Sequence, residues 1–237
     1  MIDGVALEQI GSQFTNKTTK FLGIYMDDSL TWKHHLTHVN NKISRALYGI
    51  KQANNVLPND GLKTLYTSLI QPYLSYGILA WGNARPTSLN KTLLLQKRAV
   101  RIICNSGYNS HTEPLFKSCQ IFKLNDLYEF NVCLFMQDFK LKKLPRSFDD
   151  IFQFNNEIQN DIVTRQSSLF YISRCNSTFS RNLPYYTFPV TWNTLNGILS
   201  ECKSRSQTKH KMKNYILSKY AEFVKCNSKY CRQCHPI

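Results

Sequence analysis

Hydrophobic and polar positions change rhythm several times along the chain, and each change predicts an element. Extended structure is predicted over residues 13–26. Thr15-Asn16-Lys17-Thr18 is turn-forming, and the run Lys20 to Met26 has strand length and many β formers. Asp27-Asp28-Ser29 ends that run and offers cap oxygens. From Trp32 the period becomes helical. Trp32, Leu36, Val39, Ile43, Ala46 or Leu47, and Ile50 fall on one face, with Lys33, Lys42, Arg45 and Lys51 elsewhere. Pro58-Asn59-Asp60-Gly61 breaks the chain and starts a second helix through Leu62, Leu65, Leu69 and Ile70, which Pro72 kinks or restarts toward Tyr73, Tyr76, Leu79, Ala80 and Trp81. Ser88 is the expected cap of a third helix, Leu89 to Cys104, with Leu89, Leu93, Val100 and Ile103 as its apolar set.

A short helix is expected to begin at Thr112, with Glu113 and Pro114 at its first positions. A longer one runs from Asn125 to about Lys143, and Pro145 ends it. Beyond it the rhythm weakens. Residues 149–161 read as a loop, Leu169-Phe170-Tyr171-Ile172 and Tyr185-Tyr186-Thr187-Phe188 as short strands, and about Ser206 to Lys225 as a final helix. The pattern predicts a mainly α protein: a short β-hairpin over 1–30, a four- to five-helix bundle over 31–145, and a small α+β C-terminal module over 146–237 with a Cys-rich tail. Trp32, Trp81 and Trp192 each sit in an apolar pattern and are expected in the core.

Composition adds a partner class to this picture. Lys and Arg number 30 against 15 Asp and Glu, a formal charge of +15, while 42% apolar residues exclude wholesale disorder. The excess is uneven. Residues 1–29 carry 2 basic and 4 acidic groups, residues 30–145 carry 15 and 5, and residues 146–237 carry 13 and 6. Such a surplus on a folded body points first to nucleic acid.

The N-terminus, Met1 to Ala6, is acidic and lacks the basic and apolar regions of a signal peptide. The most apolar stretch, Leu65 to Trp81, is interrupted by Gln71, Pro72 and Ser75, so no membrane span or membrane partner is expected. A cytoplasmic or nuclear location is the expectation, and Cys104, Cys119 and Cys133 read as reduced core residues. Ligand-like density is confined to Cys226-x4-Cys231-x2-Cys234-His235. The C-x-x-C-H spelling matches a haem attachment site, which needs an export context that the N-terminus does not support. Zinc would use Cys231 and Cys234 with Cys226, but adjacent Cys234 and His235 serve one metal poorly and no second C-x-x-C exists. The expectation is a frayed tail and no cofactor in this chain.

Tyr25-Met26-Asp27-Asp28 spells the motif in which reverse transcriptases hold Mg²⁺ ions. That chemistry needs a third carboxylate on a neighbouring strand, and only Asp3 and Glu8 precede the tetrad. No catalytic or metal-binding residue is therefore assigned. His34 and His38 lie i, i+4, but without the glutamate of H-E-x-x-H, so His34, His35 and His38 read as exposed polar residues. No Walker A, G-x-G-x-x-G or G-x-S-x-G motif occurs. Basic residues remain: Lys97, Arg98 and Arg101 project over a narrow arc of the third helix, and Lys203, Arg205, Lys209, His210, Lys211 and Lys213 form a second cluster.

The order of these features resembles the reverse transcriptases of non-LTR, jockey-type retrotransposons. The similarity is carried by Lys20-Phe21-Leu22-Gly23-Ile24, Asp27 and Leu30-Thr31-Trp32-Lys33-x-His35, then by Leu65-Tyr66-x-Ser68-Leu69-Ile70-x-Pro72-Tyr73-Leu74-x-Tyr76-Gly77 and Ala80-Trp81-Gly82-Asn83. Leu94 to Ile103, His111-Thr112-x-Pro114-Leu115-Phe116, and a looser set of Thr164-Arg165, Arg174, Arg181, Pro189 and Trp192-Asn193 continue it. The resemblance implies a C-terminal portion of an RNA-directed DNA polymerase. In it, residues 1–30 would be a palm-edge remnant with a primer-grip-like strand, and residues 31–145 a thumb-like bundle. Phe21, Leu22 and Gly23 would position the primer end, and Lys97, Arg98 and Arg101 would contact phosphate. RNA template, an RNA–DNA or DNA primer duplex and the missing fingers and palm would be its partners. Mg²⁺ would belong to the full-length parent. The same alignment puts Asp27 after the catalytic carboxylates, which makes the tetrad a coincidence of spelling. The alternative is a helical interaction module, or a decayed open reading frame, with no nucleic-acid role.

Overall fold

The structure, a computed structural model, describes residues 18–158 and 168–220. The Cys226, Cys231 and Cys234 tail, Thr164-Arg165 and the end of the expected final helix lie outside them. In chain order the elements are β1 (Thr18–Phe21), β2 (Ile24–Asp27), α1 (Lys33–Ala53), α2 (Asn59–Leu69), α3 (Gln71–Ser75), α4 (Ile78–Trp81), α5 (Pro86–Ile103) and α6 (Glu113–Cys119). There follow α7 (Leu124–Lys140), a 3₁₀ turn (Arg146–Phe148), α8 (Asn155–Ile158), α9 (Thr178–Arg181), α10 (Pro184–Thr194), α11 (Asn196–Leu199) and α12 (Arg205–Lys219). The mainly α class is as the rhythm predicts. The described residues fall into two compact units, one of 18–77 and 84–115, the other of 78–83 and 116–220.

In the first unit β1 and β2 pair antiparallel, with Phe21 opposite Ile24, and α1 packs on α2 and α5. The apolar face of α1 is buried as its period requires, with Ile43 and Ile50 at 0% exposure, and Leu47 rather than Ala46 completes it. Pro86 stands at the first position of α5, so this helix begins three residues before the expected Leu89. A proline there has its φ preset and no N–H to satisfy. The seam of α5 differs from its expected apolar set. Thr92 and Gln96 are fully buried, because Thr92 Oγ1 donates to Asn40 Oδ1 of α1 (2.8 Å) and Gln96 Nε2 donates to the Tyr66 hydroxyl of α2 (2.9 Å).

The second unit is built around phenyl rings. Phe135 meets Phe148, Phe152 and Phe188 edge-on at 5.3–6.1 Å, and Phe170 stacks on Phe154 at 4.4 Å and meets Trp192 edge-on. Gly82 is required at its site: a Cβ there would lie 2.5 Å from Tyr128 Cδ2 and 2.6 Å from the Ile78 carbonyl. α7 ends three residues before the expected Lys143. Lys142 turns left-handed (φ 54°), Lys142 N donates to the Phe139 carbonyl and Lys143 N to that of Asp138, the paired bonds of a Schellman ending.

Two strand expectations are corrected here. Tyr185 to Phe188 belong to α10, started by Pro184 at its first turn, where Phe188 and Trp192 share one buried face at i, i+4. Burial in the ring cluster outweighs the β propensity of the Tyr-Tyr-Thr-Phe run. Leu169 to Ile172 make one isolated bridge, Phe170 to Phe154. On the other side of Phe170 no strand is needed: Asn193 Oδ1 accepts from its N–H (3.0 Å) and Asn193 Nδ2 donates to its carbonyl (2.8 Å). Among the described residues the regular structure of the C-terminal region is therefore helical apart from that bridge.

Candidate nucleic-acid interface

The hairpin tip is the first group of candidate residues. A two-residue loop between right-twisted strands favours a primed turn, which needs positive φ at both central residues. Leu22 (φ 45°) and Gly23 (φ 83°) supply them. Glycine adopts this freely, whereas leucine is strained by about 1–2 kcal/mol. The strained residue is also unsheltered: Leu22 is 73% exposed and Phe21 60%. What holds the turn is Tyr76, just beyond α3, whose hydroxyl donates to the Leu22 carbonyl.

Between this tip, α1 and α3 lies a cavity of about 570 Å³, lined by Leu22, Gly23, His35, His38, Val39, Pro72, Tyr73, Ser75 and Tyr76. Burial pushes the His35 pKa down to about 4, with His38 adding to it. The His38 pKa is lowered by burial first and then by the cations Lys42, Lys20 and Arg45. The reading of three exposed histidines is corrected on this point. His34 is exposed, but His35 is buried on the face it shares with Val39, and His38 packs its ring 5.2 Å from that of Tyr25. Tyr73, Tyr76, His35 and His38 were not legible as neighbours of the hairpin. The signal available was Pro72, which restarts the helix and turns Tyr73 and Tyr76 away from α2.

The second group sits on α5. Arg98 is exposed and Lys97 half-buried. Arg101 is half-buried, donates Nε to the Ser110 carbonyl (3.0 Å), and has its pKa lowered by burial, which Tyr108 opposes. The hairpin tip and these cations are on different elements, and α1 is a neighbour of both.

The tetrad Tyr25 to Asp28 does a different job from the one its spelling suggests. Asp27 Oδ2 accepts from the Thr31 N–H (2.9 Å) and hydroxyl (2.6 Å), and Oδ1 accepts from the Trp32 N–H (3.0 Å). Burial alone would raise its pKa, but these hydrogen bonds outweigh it and hold the carboxyl below its ordinary value. Both oxygens thus serve the entry into α1, where Leu30 and Trp32 take positive φ. Asp28 accepts from the Ser29 hydroxyl. Among the described residues no group of three His, Cys, Asp or Glu is gathered for a metal, and no helix is long and apolar enough to cross a membrane.

A mainly α chain with an exposed hairpin tip and a basic surface is the class these features define. No family model matches the chain, and no solved structure matches it. Among curated proteins it is 30% identical over 112 residues to the RNA-directed DNA polymerase from mobile element jockey of Drosophila melanogaster, and 28% identical over 110 residues to that of Drosophila funebris. It is 27% identical over 110 residues to the probable RNA-directed DNA polymerase from transposon BS of Drosophila melanogaster. Each match covers 45% of this chain and 12% of the relative. The chain is homologous over that stretch to the RNA-directed DNA polymerases of non-LTR mobile elements.

Proposed function

We propose that this chain is part of a non-LTR reverse transcriptase and serves to hold the template–primer duplex. The carrying observation is the similarity to the jockey and BS polymerases. The geometry supports the assignment of roles. A strained, exposed Phe21-Leu22-Gly23 tip, pinned from behind by Tyr76, is a stiff apolar contact suited to the primer end. Lys97 and Arg98 on α5 would meet phosphate, joined by Arg101 from a guanidinium that Ser110 orients. An RNA template and its RNA–DNA or DNA primer duplex are recognised by shape and phosphate in such a grip. The chemistry, with its Mg²⁺, would come from fingers and palm outside this chain, and Asp27 takes no part in it.

The test is binding to an RNA–DNA duplex across a salt series. Affinity should fall with salt, and Lys97→Gln with Arg98→Gln should flatten the log–log slope by about two, one per lost phosphate contact. Affinity indifferent to salt would overturn the reading in favour of a helical module without a nucleic-acid role. So would template-directed dNTP incorporation by the chain alone with Mg²⁺, for the division of labour.

A further inference from the structure

We propose that the second unit carries a duplex-binding face of its own, formed by the C-terminal end of α7 through Lys143, the 3₁₀ turn after it, and the start of α12 with Lys203 just before it. Fourteen Lys and Arg stand against seven Asp and Glu among the described residues of this unit. The acids are largely engaged. Asp138 pairs with Arg205, Asp149 with Lys142, Glu201 with Lys211 and Glu129 with Lys219, while Asp126 accepts from the Tyr220 hydroxyl. Lys140, Lys143, Arg146, Lys203 and Lys209 are exposed and, among the described residues, meet no carboxylate within 4 Å.

The elements that carry these five cations meet because α12 packs on α7. Thr208, Met212 and Ile216 face inward and are buried, Gln137 Nε2 donates to the Cys202 carbonyl (3.3 Å), and the Arg205–Asp138 pair sets the start of α12 beside the end of α7. Arg205, Lys209 and Lys213 then follow one another at i, i+4, i+8, about 6 Å apart along the axis. Like charges at that spacing weaken a helix, so a merely solvated face would be better served by alternating signs.

The occupant follows from what the face lacks. None of the exposed large hydrophobic residues lies between 200 and 220, so a membrane-surface helix, which needs an exposed apolar face, is not what α12 resembles. Its aromatics are also unavailable: Tyr220 is buried and Lys219 covers the Tyr215 ring at 4.1 Å. A single strand would want exposed rings for its bases, whereas a duplex asks only for phosphate contacts. The face therefore fits duplex backbone.

The decisive experiment uses the full chain with all five cations changed to Gln (K140Q, K143Q, R146Q, K203Q, K209Q), beside the α5 variant K97Q/R98Q. Binding of a labelled RNA–DNA duplex is read across a salt series. The five-site variant should lose at least tenfold in affinity and flatten the salt slope by up to about 4.5, at 0.9 per phosphate. A charge-keeping variant (K140R, K143R, R146K, K203R, K209R) should bind like the parent, which separates charge loss from misfolding. An unchanged slope in the five-site variant overturns the second face and leaves the α5 grip standing. Loss in the five-site variant with none in K97Q/R98Q upholds it and removes the α5 assignment. Tighter binding to the single strand, or binding to phosphatidylserine vesicles with none to duplex, overturns it.

Discussion

The two units solve the same problem, a basic chain that must still bury a core, by different means. In the first unit helices are registered by polar pairs set inside the seam, Asn40 with Thr92 and Tyr66 with Gln96. In the second, a cluster of phenyl rings makes the core, and ion pairs such as Arg205–Asp138 and Lys219–Glu129 tie α12 to α7. A directed pair fixes which residue meets which, while rings tolerate many approaches and supply bulk. The lesson is that specificity and burial are separable. The first unit places its candidate site with hydrogen bonds, from Tyr76 to the hairpin and from Asp27 to the start of α1.

Four variants probe that contrast, from the largest expected effect to the smallest. Phe170→Ala removes a ring that touches Phe139, Phe154 and Trp192 and should destabilise the second unit by about 3–5 kcal/mol, read by urea unfolding. A loss below about 1 kcal/mol would mean the rings do not form one core.

The next depends on pH. His35 is buried neutral with its pKa lowered to about 4, so stability is full above the unfolded value near 6.5 and is lost as pH falls between the two. At about 1.4 kcal/mol per unit the ceiling is roughly 3 kcal/mol. His35→Leu should flatten the acid limb of the first unit's stability profile, and an unaltered limb would place the proton uptake elsewhere.

Thr92→Val keeps the shape of the side chain but leaves the buried Asn40 oxygen without its donor, at about 1–3 kcal/mol. Adding Asn40→Leu should recover part of that loss, and strict additivity of the two would deny that the pair acts as a unit.

Leu22→Asn gives the turn a residue suited to positive φ and should stabilise the hairpin by about 1 kcal/mol. Duplex affinity should fall in the same variant, because the apolar contact is gone. Stability and affinity rising together would show that Leu22 touches no nucleic acid.

Much of this was legible from rhythm alone. The apolar faces of α1 and α7 follow the helical period, whereas the single run read over Lys20 to Met26 is split into two strands by the positive φ of Leu22 and Gly23, and Thr18 belongs to the first of them. What misled were positions where a partner distant in sequence decides. Thr92 and Gln96 look like surface residues until Asn40 and Tyr66 face them. Tyr185 to Phe188 look like a strand until Phe188 and Trp192 are buried together. Phe170 looks like a strand residue whose neighbour is missing until Asn193 fills that place. At the candidate site the sequence offers Phe21, Leu22, Gly23, Lys97, Arg98 and Arg101 as candidates, but not Tyr76, which the helix restarted at Pro72 brings to the hairpin, nor His35, which α1 turns toward the same cavity.

The amino-acid order by itself determined the long helices α1, α2, α5, α7 and α12, that the chain is basic enough to favour phosphate, and that its spelling Tyr25-Met26-Asp27-Asp28 invites a metal. Local periodicity and composition carry that much because they depend on near neighbours and on sums. Only the tertiary structure decided that Asp27 caps the entry to α1, that His35 is neutral and buried, and that Arg205 of α12 meets Asp138 of α7. Each of those outcomes depends on which groups meet across the fold. The Asp27 carboxylate serves as a cap because the N–H groups of Thr31 and Trp32 lie 2.9 and 3.0 Å from its oxygens.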